Sequence, residues 1–149
     1  MGPIVVSVDD SDGSRAALHV AGELAAAFDA NLVLVHVAPR TEAPGVSTAP
    51  AGQQRLREAE LEDASHTLRL IASEAGLGEE VEQRAEIGSA ADRVVAVCTE
   101  LGASYVVLGS RGRSGLKSAV LGSVSGSVAS NSPCPVVIVP PHAAEHSSE

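Results

Sequence analysis

The segment Gly109-Ser-Arg-Gly112-Arg-Ser-Gly115-Leu-Lys-Ser118 and the nearby Gly122-Ser-Val-Ser-Gly126-Ser127 hold the residue types most suited to gripping an anion. Glycine lets a backbone approach a phosphate closely, and the free amides and dipole at a helix N-terminus favour negative charge. Ser123 and Ser125 add hydroxyl donors. The surroundings agree, because no Asp or Glu occurs from Leu101 to Ala144. Arg111, Arg113 and Lys117, the only lysine, do lie there. On a chain of formal charge −9, one cationic spot points to a compact anionic ligand. A solvated loop leading into a glycine-started helix is the alternative for the same residues. A second candidate is Val8-Asp9-Asp10-Ser11-Asp12-Gly13-Ser14, where a carboxylate can accept from ribose hydroxyls or an adenine amine, or support Mg²⁺ from its outer shell.

These segments need strands and helices to bring them together. Pro3–Val8, Asn31–Val37, Ser104–Leu108 and Pro135–Val139 are short β-branched runs, apolar at nearly every position, as strands covered on both faces require. Val81 to Ile87 alternates with Glu82, Arg84 and Glu86 and reads as an edge strand with one wet face. Between them lie helical periodicities at Leu18, Ala21, Ala25 and Phe28, then at Leu61, Ala64, Leu68, Ile71 and Ala75, then at Ala90, Val94, Val97 and Leu101. Ser89 with Asp92 resembles a capping arrangement, Gly76 and Gly102 are placed to end helices, and a last short helix is expected over about Leu121 to Ser130. The alternating order predicts one doubly wound parallel sheet of five strands. Ligands of such sheets bind beyond the carboxyl ends of the strands, where both candidate segments fall.

The domain is expected over residues 1–141, with 142–149 a disordered polar tail and Arg40 to Gln54 a mobile loop. Cys98 and Cys134 lack disulfide or metal spacing and read as reduced core residues, which suits a cytoplasmic protein. Neither a signal peptide nor a membrane span is expected, and the acidity argues against nucleic acid as a partner. His142 and His146 lack the context of a metal pair, His36 reads as a packed histidine, and no metal site is assigned. No catalytic residue is assigned either. Gly115-Leu116-Lys117-Ser118 breaks the P-loop pattern, and Gly122-Ser123-Val124-Ser125-Gly126 misses the hydrolase elbow. Gly88-Ser89 and Pro140-Pro141 stand where a receiver domain needs Asp and Lys.

Gly109-x-x-Gly112, nine residues, Gly122-Ser123, and then Pro133-Cys-Pro-Val-Val-Ile-Val139 resemble the ATP-binding branch of the universal stress protein family. Ile4 to Asp9, Ser11, Ser14 and Leu34-Val-His-Val37 extend the resemblance from Gly2 to about Pro140, while Asp10 departs from the small residue usual there. The resemblance implies a Rossmann-like sheet of order 3-2-1-4-5, an adenine nucleotide in the crevice, and a homodimer through the last strand, Pro135 to Val139. It places Asp9 and Val37 by the adenosine, Gly109 and Gly112 by ribose and phosphates, and Gly122, Ser123 and Val124 at the phosphates. Ser125 and Arg113 join on their own chemistry. The functional expectation is an ATP-binding regulator, with Mg²⁺ held through the phosphates, slow hydrolysis at most, and an unknown protein partner. The alternatives are a nucleotide-free dimeric interaction module or an ATP-pyrophosphatase or nucleotidyl-transfer enzyme.

Overall fold

The computed structural model describes residues 1–41, 49–110 and 121–141. Five parallel strands alternate with four helices: β1 (Ile4–Ser7), α1 (Asp12–Phe28), β2 (Leu32–Ala38), α2 (Pro50–Glu74), β3 (Glu82–Ile87), α3 (Ala90–Leu101), β4 (Tyr105–Gly109), α4 (Ser123–Asn131) and β5 (Val136–Val139). The sheet order is β3-β2-β1-β4-β5. β1 sits at the centre, with Val5 opposite both Val33 of β2 and Val106 of β4. The alternating side chains of β1 feed two cores. Ile4 and Val6 join Ala17, Leu34, Leu68 and Val107 beneath α1 and α2, while Val5 joins Val33, Val94, Val106 and Val128 beneath α3 and α4. Coverage on both faces accounts for the near-continuous apolar runs.

Local signals set the helix ends. Ser11 caps α1, its hydroxyl accepting from the Ser14 amide at 3.2 Å, and Asp29 closes that helix in the left-handed region, which short polar side chains tolerate. Gly102 does the same for α3 at φ 60°. Ser89 occupies the cap of α3 as expected, but its hydroxyl makes no capping bond, so Asp92 acts only as a first-turn charge. The expected loop over Arg40 to Gln54 is corrected at its end: Pro50 starts α2, because proline suits the first helical position and good helix formers follow. Residues 42–48 and the tail 142–149 lie outside the described residues. In α2 the buried stripe is Ala64, Leu68 and Ala72, while Leu61 and Ala75 are exposed. Phe28 is also half in solvent and stacks on Tyr105 with ring centroids 5.6 Å apart, instead of entering the core.

The two sheet edges differ in character. On β3, Arg84 donates to Glu100 at 2.8 Å and lies near Glu82 and Glu86, a charged edge that discourages strand addition. β5 presents Val-Val-Ile-Val.

Both cysteines are free thiols and pack in the core beneath α3 and α4. Burial, reinforced by neighbouring Cys134, pushes the Cys98 thiol up to about 12 from 9.0. Above pH 9 the unfolded chain therefore releases a proton that the folded chain keeps, and stability falls as pH rises through that window. Between pH 8 and pH 10 this group is expected to remove on the order of 1 kcal/mol, seen as a fall in urea midpoint that is smaller in Cys98→Val.

Candidate functional site

β1 continues to β2 on one side, while β4 continues to β5 on the other, so the chain leaves the carboxyl ends of β1 and β4 in opposite directions. A crevice of about 300 Å³ opens there, floored by Ser7, Val8 and Leu108. One wall is the β1–α1 turn, with Asp9, Ser11 and Ser14, and Val37, next to the last residue of β2, lies beside it. The opposite wall is Gly109 with the start of α4, Gly122 to Ser125. The crevice thus gathers Asp9, Val37, Gly109, Gly122, Ser123, Val124 and Ser125, while Gly112 and Arg113 lie outside the described residues.

Hydrogen bonds within the β1–α1 turn hold it rigid. The Ser14 hydroxyl, almost fully buried, accepts from the Asp9 amide at 2.7 Å, and one Asp9 carboxylate oxygen accepts from the Ser11 amide at 2.8 Å. The turn is tied to β2 through His36, whose Nδ1 donates to the Val8 carbonyl at 2.8 Å, the packed role expected of that histidine.

Across the crevice, α4 begins at Gly122, whose φ of −62° and ψ of 164° are open to any residue. Its amide donates to the Ser110 carbonyl at 3.0 Å, fixing the helix start to the end of β4. The first amide turned back into the helix is that of Gly126, on Gly122, and no side chain caps α4. The amides of Ser123, Val124 and Ser125 thus form the electropositive end of the helix, opening on the crevice.

Ser125 needs a correction. Its side chain is buried and its hydroxyl lies 3.2 Å from the Ser110 carbonyl and 3.1 Å from that of Gly122. With one proton to give, it anchors the helix, and only its amide is left for a ligand. Gly109 also has a reason not read from the sequence. A Cβ there would stand 3.0 Å from the Gly13 carbonyl carbon and oxygen, so α1 crosses β4 backbone to backbone.

With this arrangement established, the family can be given. Residues 1–140 match the model of the universal stress protein family. The chain belongs to that family. Universal stress protein YxiE of Bacillus subtilis (strain 168) is 33% identical over 145 residues, covering 91% of this chain and 97% of the relative. A solved universal stress protein in complex with cAMP is 28% identical with a TM-score of 0.61, covering 93% of this chain and 96% of the other. The hypothetical protein MJ0577, solved as a test case of structural genomics, superposes with a TM-score of 0.72 at 24% identity, over 94% and 96% of the two chains, a likeness of fold.

In this universal stress protein the crevice also draws on Val8, which opens the second candidate segment, and on Ser7, Leu108 and Ala90, which motif reading missed. Two lie at or next to strand ends and one opens α3, so only their position in the fold could have revealed them. Gly109→Ala is expected to lower stability by about 1–3 kcal/mol in urea denaturation, because the methyl group must push α1 off β4. An unchanged midpoint would show that the two backbones are not in contact.

Proposed function

We propose that this universal stress protein binds ATP in the crevice between the β1–α1 turn and α4, and that a regulatory protein partner reads its nucleotide state. The adenosine lies toward Asp9 and Val37, the ribose toward Gly109, and the phosphates at the amides of Ser123 and Val124, with Mg²⁺ held through the phosphates. Gly112 is assigned to the ribose and phosphates by the family resemblance, and Arg113 to the phosphates by its charge.

The observation that carries this reading is Gly122. Its backbone conformation demands no glycine, and Ser, Asp or Asn would cap the helix as well or better. We read the missing side chain as room for a ligand at the helix start. Close approach of phosphate to uncapped amides at a helix N-terminus is the chemistry that fits. The cAMP complex of a relative 28% identical supports a nucleotide as the class of ligand. Among the described residues Asp9 is the only titratable group on the crevice, and one of its oxygens is held by Ser11. On this reading hydrolysis is slow at most and the protein acts as a cytoplasmic regulator.

Calorimetry with Mg-ATP tests the site. Gly122→Val is expected to abolish binding while the circular dichroism spectrum stays native, and Ser123→Ala to weaken it by about 1 kcal/mol, as for one lost hydrogen bond. A folded Gly122→Val variant that binds as tightly as the wild type would remove the phosphate site.

The contrast between the two sheet edges supports assembly through β5, strand to strand across a two-fold axis. Sedimentation velocity is expected to show a dimer, and Val137→Lys a monomer. A Val137→Lys dimer would move the interface elsewhere.

A further inference from the structure

A second cavity, of about 810 Å³, runs between α1 and α2 on the far side of Asp9, which lines both spaces. Its size falls within the range of small-molecule sites. The floor is apolar: Leu18 is buried, while Leu32, Ile71 and Leu77 are partly buried against the same core. At the lip, Leu70 is 52% exposed.

Gly22, midway along α1, lines this groove, and a Cβ built there meets nothing within 4 Å. Glycine in a helix interior costs stability relative to alanine. Here neither a close neighbour nor a left-handed backbone requires it. The missing side chain leaves the groove wider at this point.

The charged groups on the groove are Asp9, Asp10, Glu23 and Glu74 against Arg15 and His19. Arg15 is already paired with Asp12 at 2.7 Å, and the His19 Nε2 lies 2.9 Å from Glu23. The excess is negative, in keeping with the whole chain.

We propose that this groove is a second ligand site, for an amphiphilic cation: an apolar chain lying over Leu18, Gly22, Ile71 and Leu77, with an ammonium group among the carboxylates of the rim. The apolar floor supplies the affinity and the rim selects the sign of the headgroup. The site is independent of the nucleotide reading, and its test omits nucleotide.

Decyltrimethylammonium, below its micelle-forming concentration, is titrated into the full chain by calorimetry and by amide chemical shifts. The expected result is saturable one-to-one binding. Decyl sulfate and tetramethylammonium, lacking the positive charge and the chain respectively, are each expected to bind at least tenfold more weakly. Shifts are expected to concentrate in residues 15–26 and 67–77. Gly22→Leu is expected to weaken binding at least tenfold with a native circular dichroism spectrum. Equal binding of decyl sulfate, unsaturable uptake, shifts centred outside the two helices, or undiminished binding by folded Gly22→Leu would each overturn the proposal. Should Gly22→Leu fail to fold, the headgroup comparison and the shift map on the wild-type chain decide alone.

Discussion

The parallel pairing of β1 with β2 on one edge and β4 on the other is the constraint from which everything else descends. Parallel neighbours cannot be joined by a tight turn, so each link must cross a face of the sheet, and here helices make the crossings. Because the strand order reverses at β1, the crossings next to it depart to opposite faces, α1 to one and α4 to the other. Among the described residues nothing fills the gap between their starting points. The crevice is thus a by-product of topology, and the residues on it are whichever ones end those strands and begin those helices.

This origin explains what could be read from the sequence. Four strands were legible because burial on both faces demands continuous β-branched runs, and the fifth, the wet edge strand, because Glu82, Arg84 and Glu86 interrupt its pattern. Strand order was not legible from periodicity. It came from the resemblance carried by Gly109, Gly112 and Gly122-Ser123, and the sheet bears it out. The start of α2 was missed because Pro50, Ala51 and Gly52 have loop composition, while proline at a first helical turn costs nothing. Leu61 lies in the helix its spacing indicates but stays exposed, because α2 buries only a thin stripe. The roles of Ser125 and Gly109 were out of reach. Each depends on a backbone atom distant in sequence, Ser110 for one and Gly13 for the other.

Main-chain groups set much of the character of the crevice. Its positive pole is the open end of α4, and its rigid wall is a turn whose own amides occupy Asp9 and Ser14. Such a surface keeps its chemistry through many side-chain changes, provided the strands stay in register and the glycines stay small. The groove between α1 and α2 is the opposite case, since its character resides in leucines, carboxylates and one helix-interior glycine. Asp9 is the point where the two kinds of surface meet.

The place of β1 also sets a timetable for synthesis. Of the five strands of this sheet the earliest made is the middle one, and Ile4 cannot meet its partner Tyr105 until about a hundred further residues have been made. Until then β2 can dock on one side of β1 while the other side stays bare, together with the part of α1 that belongs over β4. The nascent chain must carry this unpaired edge through most of its elongation. A truncation before Tyr105 would leave a half-sheet with an open seam, a natural substrate for chaperones and proteases.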